Sequence, residues 1–209
     1  MDGKKDPLRR GYWPVAPGQL ANMVVCLEMP APPPVRRDAA GSRDLRLDTL
    51  QSDDLSGYRT LFRAVGEDWL WTSGLALGDA ELAALLADPG VEAYAAMAGD
   101  AAVGLLQLDY REPPACEIAY FGLAAAWIGR GAGGWLMDAA ITRAWERPIK
   151  RLWLHTCSFD HPGALGFYQR SGFQPYAFQV EVMDDPRLSG LLPRHAAPHV
   201  PLIDPARTG

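Results

Sequence analysis

Apolar residues fall at Leu55, Tyr58, Leu61, Phe62 and Val65, a spacing of three and four that predicts one buried face of a helix. Ser52 or Asp53 stands where its N-cap is expected, and Gly66 closes it. A second helix is expected over residues 80–86, capped by Asp79 and stopped by Asp88-Pro89-Gly90. Elsewhere the pattern is that of strands. Runs rich in β-branched and apolar residues span 22–29, 45–47, 91–98, 101–110, 116–123, 151–157 and 173–183. Gly99-Asp100 between two of these runs is a hairpin signal. Glu112-Pro113-Pro114 breaks the chain before the next, so the middle of the chain reads as an antiparallel meander and not as successive βαβ units. Two further helices are expected. One runs from about Gly131 to Trp145, packing through Leu136, Ala139, Ala140 and Ala144. The other is capped by Asp160, carries Pro162 in its first turn and ends at Gly172.

The pattern fades at both ends and in one loop. Residues 1–21 hold Pro and Gly without periodicity and read as a loose arm preceding a domain over 22–183. Residues 184–209 read as a tail, and 30–43 as a loop. Apolar residues make up 48% of the chain and charged residues 22%, as in globular proteins. The net charge of −5 argues against nucleic-acid or anionic-membrane binding, which needs a basic face. No apolar run reaches the length of a membrane span, and the N-terminus lacks the apolar core of a secretion signal. The three cysteines, Cys26, Cys116 and Cys157, have no motif spacing and read as free thiols of a cytoplasmic protein.

Candidate chemistry concentrates in residues 117–134, EIAYFGLAAAWIGRGAGG: a strand, a short connection and a glycine-dense turn opening a helix. Unpaired N–H groups and the helix dipole at such a start attract phosphate, and glycines let the ligand reach the backbone. Gly129, Gly131 and Gly134 satisfy GxGxxG, but the context of a dinucleotide fold fails. The preceding strand ends several residues early, and RLWLHTC occupies the region of the expected acidic residue. A dinucleotide-dependent oxidoreductase is therefore the less favoured, third reading, and a Walker A loop is excluded because no Gly-Lys-Ser/Thr occurs.

Gly129-Arg130-Gly131-Ala132-Gly133 resembles the Q/R-x-x-G-x-G/A pyrophosphate loop of the GCN5-related N-acetyltransferase superfamily, and HPGALGFYQRSGF over residues 161–173 resembles that family's x-x-A-x-x-x-Y-x-x-x-G-F helix and its exit. The order of elements is similar as well. The resemblance implies an α/β fold with a mixed, mostly antiparallel sheet of six to seven strands flanked by about four helices. It implies acetyl-coenzyme A as cosubstrate, held by Leu123, Ile128, Gly129, Arg130, Gly131, Ala132, Gly133, Gly134 and His161. One departure is that Ile128 stands where the family has Gln or Arg, leaving Arg130 as the cation of the loop. Another is that Asp160-His161 replaces a frequent Asn.

Acetyl transfer to an amine needs a base for the ammonium and a donor for the departing thiolate. The resemblance points to Glu117 as base and Tyr168 as acid. The plain readings are an exposed or ion-paired strand residue and a core aromatic. Even spacing predicts that Glu117 and Leu123 share a strand face. Trp69 and Trp71 either wall an acceptor pocket or cap the core. His155, Cys157 and His161 lack further ligands, so no metal is expected, and His155 reads as a residue of a strand face. No Ser or Cys has a nucleophile context, which favours direct transfer. The sequence thus points to an acetyltransferase acting on a small-molecule or peptide amine, as a monomer or homodimer, with a non-catalytic coenzyme A-binding sensor as the alternative.

Overall fold

The structure, a computed structural model, describes residues 7–33 and 44–207. Most of the loop expected over 30–43 lies outside the described residues. Seven strands form one sheet: β1 Gln19–Met29, β2 Leu45–Thr49, β3 Val91–Ala98, β4 Ala101–Asp109, β5 Ala115–Leu123, β6 Arg151–Cys157 and β7 Gln174–Asp184. Their order across the sheet is β2-β3-β4-β5-β6-β1-β7. Every pair is antiparallel except β5–β6. The hairpin at Gly99-Asp100 forms as expected. The placement of β1 does not follow from chain order. Its apolar face enters the sheet between β6 and β7, pairing with both, and it begins at Gln19, three residues before the expected start.

Helices cover the two faces. On one side α4, Ala132–Ala144, and α5, Ala164–Arg170, pack through Leu136, Met137, Ala140 and Tyr168 against Leu27, Leu106, Ile118 and Leu152. On the other side lie α1, Leu55–Gly66, α2, Ser73–Ala76, and α3, Asp79–Ala87. They bury Tyr58, Phe62 and Leu82 against Ala93, Ala95 and Leu105. The expected caps shift by a residue or more. Asp54, not Ser52 or Asp53, caps α1 by accepting the Gly57 N–H at 2.9 Å. Gly78 is the N-cap of α3, its own N–H bonded to Glu81 at 3.0 Å. Asp160 caps no helix. Its Oδ2 accepts from Thr156 Oγ1 at 2.8 Å and Cys157 N–H at 2.9 Å, closing the turn after β6, and α5 starts later, at Ala164.

The segment after β7, which has no periodicity in sequence, packs down. Leu192, Ala196, Ala197 and Val200 join the α1 side of the core. Its organiser is Arg187, buried with Asp185 as an ion pair of 2.7 Å and donating to the carbonyls of Ala196, Ala197 and Val200. A periodicity reading misses such a segment because its backbone is held by one guanidinium and not by a ladder. Among the described residues no helix is long and apolar enough to cross a membrane. Cys26 and Cys116 are buried, Cys157 is partly buried, and all three are free thiols.

Candidate active site

β5 and β6 pair only from Ala115 to Glu117, then separate: β5 follows β4 and β6 follows β1. The separation opens the sheet and produces a cavity of about 850 Å³ that passes through it. Glu117, Leu123, Ile128, Gly131, His155 and Tyr168 all line this cavity. The expected site residues are therefore brought together, apart from Arg130 and Ala132, which do not line it.

One end of the cavity is backbone. Gly129 and Gly131 have φ of +80° and +84°, and Gly131 is the N-cap of α4. An L-residue there carries left-handed strain, and only Gly adopts the conformation freely. A Cβ at Gly129, Gly131 or Gly134 would meet open space, so these positions are conformational or reserved for close approach and are not packing positions. The first N–H groups of α4 have no intrahelical acceptor. Ile128 is 39% exposed at the mouth. Arg130 lies 6.0 Å from the Trp127 ring centroid and out of the cavity, so the cation expected from the loop is turned aside. Arg170, at the end of α5, lines the cavity instead. Sequence reading missed it, although its place one turn after Gly166 on the same helix was available as a signal.

β5 then runs along the opening. Ala124 donates to Val103 on β4, and successive strand residues alternate direction, so the Leu123 N–H points away from β4 into the gap that β6 has left. The expectation that Glu117 and Leu123 share a face is overturned. Gln107 pairs with Tyr120 while Leu108 pairs with Ile118, leaving Ala119 as a bulge. One extra residue reverses the parity. Leu123 thus packs with Ile118 on the α4 side. Glu117 shares the other face with Tyr120, which packs with the α1 cluster.

At that other end Glu117 Oε1 is 3.5 Å from His155 Nδ1. This partnership was not read from sequence. The register of Glu117 opposite Trp153 puts His155 one pleat further along the same face. The Glu117 carboxylate raises the His155 pKa above 6.5 by hydrogen bonding to the imidazolium. It outweighs burial, and Asp160 and Glu181 add to the shift. Tyr168 is 9% exposed and sits among Phe121, Phe167 and Phe173. Burial first, and Asp160 second, push its pKa up, so its hydroxyl stays protonated. His161 Nδ1 accepts the Gly163 N–H at 3.0 Å, and its ring meets Trp69 edge-on at 5.6 Å. Trp69 is further flanked by His199 from the C-terminal segment. Trp71 lines the cavity and packs on Phe62 and Tyr120. It approaches Gly66 so closely that a Cβ there would lie 2.5 Å from the ring. Among the described residues no group of three His, Cys, Asp or Glu side chains could hold a metal.

The model of the acetyltransferase (GNAT) family matches residues 58–173, more than half of the chain. The chain belongs to the GNAT family. No curated protein matches the sequence. Among solved structures it is similar to an aminoglycoside acetyltransferase from an uncultured soil metagenomic sample, with TM-score 0.52, 23% identity, and coverage of 63% of this chain and 89% of that one. It is also similar to a GCN5-related N-acetyltransferase from Sphaerobacter thermophilus, with TM-score 0.56, 17% identity, and coverage of 81% and 53% respectively. A conserved protein of unknown function from Staphylococcus epidermidis has TM-score 0.56 and 14% identity, with 80% of this chain and 63% of that one covered. At these identities the neighbours establish the fold: a GNAT fold with an open seven-stranded sheet. The matched stretch runs from α1 to Phe173, so it contains the glycine turn, Glu117, His155 and Tyr168, while β1, β7 and the C-terminal segment lie beyond it.

Proposed function

We propose that this GNAT protein transfers the acetyl group of acetyl-coenzyme A directly to an amine nitrogen of a small molecule or peptide in the cytoplasm. The observation that carries the reading is the single cavity joining the glycine turn to the Glu117–His155 pair through the split in the sheet. The turn at 129–134 and the start of α4 receive the pyrophosphate, with Arg170 as the nearby cation in place of Arg130. The cosubstrate's arm lies along β5, and the Leu123 N–H holds the acetyl carbonyl and steadies the oxyanion that forms from it.

The acceptor arrives as an ammonium, whose pKa lies near ~10. The Glu117–His155 pair takes its proton. The neutral nitrogen then forms the C–N bond; as the resulting oxyanion collapses the C–S bond breaks with its electron pair on sulfur, and the surplus proton on nitrogen passes to the departing thiolate, leaving the amide and free coenzyme A thiol. Tyr168 donates its hydrogen bond to that sulfur. With a pKa raised by burial it is suited to stabilising the thiolate by donation more than to surrendering the proton outright. Trp69 and Trp71 offer aromatic walls to a cationic acceptor.

Calorimetric titration tests the donor: acetyl-coenzyme A binds and NAD does not, and absence of coenzyme A binding ends the proposal. Thiol release across a panel of amines tests transfer. The second reading, a coenzyme A-binding sensor, is favoured by apolar Ile128 at the loop's first position. It is adopted if the cosubstrate binds and no amine releases thiol.

A further inference from the structure

The sheet has two edges, and they are built differently. β2 is short, five residues, and carries the charges Arg46 and Asp48. Short, charged edges resist pairing with another chain. β7 is eleven residues long, and its only charges are Glu181 and Asp184. Asp185 donates its N–H to Gly18 O on the β1 side. Backbone direction alternates along a strand, so the N–H and C=O groups of Phe178, Val180 and Val182 point away from β1. Among the described residues no strand lies beyond β7 to receive them. The same three side chains are 70%, 45% and 53% exposed. They share a face with Met23, which pairs with Val180 and is 47% exposed; α4 and α5 cover Val25 and Leu27 but not Met23. An apolar face beside an unpaired backbone edge fits a strand and not a small molecule.

We propose that β7 pairs antiparallel with β7 of a second copy about a two-fold axis at Val180, extending the sheet through both molecules. A two-fold presents the same edge to itself, so the contact closes at a dimer. With this centre Val180 meets its own copy, and Phe178 meets Val182 of the second copy. All three outward-facing residues then form hydrogen-bonded pairs, about six backbone bonds in all. On the opposite face Glu181 meets Gln179 of the second copy, whose amide donates to the carboxylate. A centre one residue further along would set Glu181 against its own copy, where like charges repel. Glu181 lines the cavity, so Gln179 of the second copy stands at its rim. The arm before β1 adds surface. Leu8, Tyr12, Trp13 and Val15 are exposed, and the arm leaves the sheet at Gln19, which pairs with Asp184. Tyr176 of the second copy falls beside Asp184, two strand spacings or ~10 Å from Gln19. The arm is thus placed to enlarge the contact toward the ~800 Å² per partner that specific dimers bury.

Sedimentation velocity of the full chain over ~1–100 μM tests this, and a monomer–dimer equilibrium is expected. Val180→Lys sets two like charges against each other on the axis and should weaken dimerisation about tenfold. Ile203→Lys, at another exposed apolar residue outside β7, should leave it unchanged. Val180→Cys tests the register without adding charge. The Cα atoms of such a pair lie ~5.5 Å apart, within disulfide reach, so mild oxidation should link two chains. Val182→Cys lies four residues out of register with its own copy, ~14 Å away, and should not link. The native thiols are buried or partly buried, and the wild type supplies the baseline. A wild type that stays monomeric overturns the proposal, as does a dimer indifferent to Val180→Lys. Linkage through Val182→Cys as readily as through Val180→Cys overturns it too. So does growth into larger species, the mark of an open head-to-tail contact. None of these readouts depends on the acetyltransferase reaction.

Discussion

The two ends of the cavity are built in opposite ways. The glycine-turn end comes from one contiguous stretch, residues 128–134, and presents backbone: positive-φ glycines and the opening N–H groups of α4. The Glu117 end is assembled from side chains scattered along the chain. Asn22 comes from β1, Trp69 from the turn after α1, Glu117 from β5, His155 from β6 and Glu181 from β7. A backbone site suits a ligand shared by a whole family, since side-chain identity matters little there. A side-chain site can be rebuilt by substitution while the sheet stays the same. The family match covers Trp69, Glu117 and His155 and ends at Phe173, before Glu181.

The largest expected effect tests whether the Glu117 end depends on the C-terminal segment. Arg187→Met leaves Asp185 buried without its partner and should cost about 3 kcal/mol of stability. Urea unfolding reads this directly. Burial raises the Asp185 pKa, but the bonds from Arg187 override it and hold it below 3.8. Asp185 therefore contributes stability above the unfolded value, and that contribution is lost as pH falls through the folded one. The wild type should lose stability in acid more steeply than the variant. A variant as stable as the wild type would show that the Arg187–Asp185 pair is not what holds the C-terminal segment.

Glu117→Gln should lower kcat by about 100-fold, the lower range for loss of a proton acceptor, while acetyl-coenzyme A binds within about twofold of wild type. Steady-state kinetics beside calorimetry separate the two ends. Equal losses in both would erase the distinction between them. Gly131→Val should do the opposite. A β-branched residue at φ +84° strains the turn by about 1–2 kcal/mol, so acetyl-coenzyme A binding weakens about tenfold. The acceptor KM is expected to move little.

The smallest effect is in the pH profile. His155 has its pKa raised by Glu117, so the limb on which kcat/KM rises with pH should lie above 6.5 in the wild type. In Glu117→Gln that limb should shift down. By the same linkage, the stability His155 gains from its partner is present below 6.5 and fades as pH rises through the folded value. A limb unmoved by the substitution would separate His155 from the proton transfer.

Much of the fold was legible because its signals are local. The 3.6-residue pattern of α1, the Gly99-Asp100 turn and the run of glycines before α4 each need only their own neighbours. What escaped depends on contacts distant in sequence. Asp160 stands in a helix-start context, yet its carboxylate is taken by Thr156 and Cys157 at the end of β6. The bulge at Ala119 arises from how β4 and β5 register, so an alternation count could not detect that Glu117 faces away from Leu123. Arg130 reads as a phosphate partner, and Trp127 draws it aside.

The sequence alone determined the strands, the glycine turn, Tyr168-x-x-x-Gly172-Phe173 and hence the family, because backbone conformation and amphipathic faces are set by nearest neighbours. Tertiary structure decided the insertion of β1 between β6 and β7, which brings Asn22 to Glu181. It also decided the parting of β5 and β6, which brings His155 to Glu117 and opens the cavity. These are pairings between surfaces that bury apolar area only once the whole sheet exists, and no local pattern encodes which strand a given edge will meet.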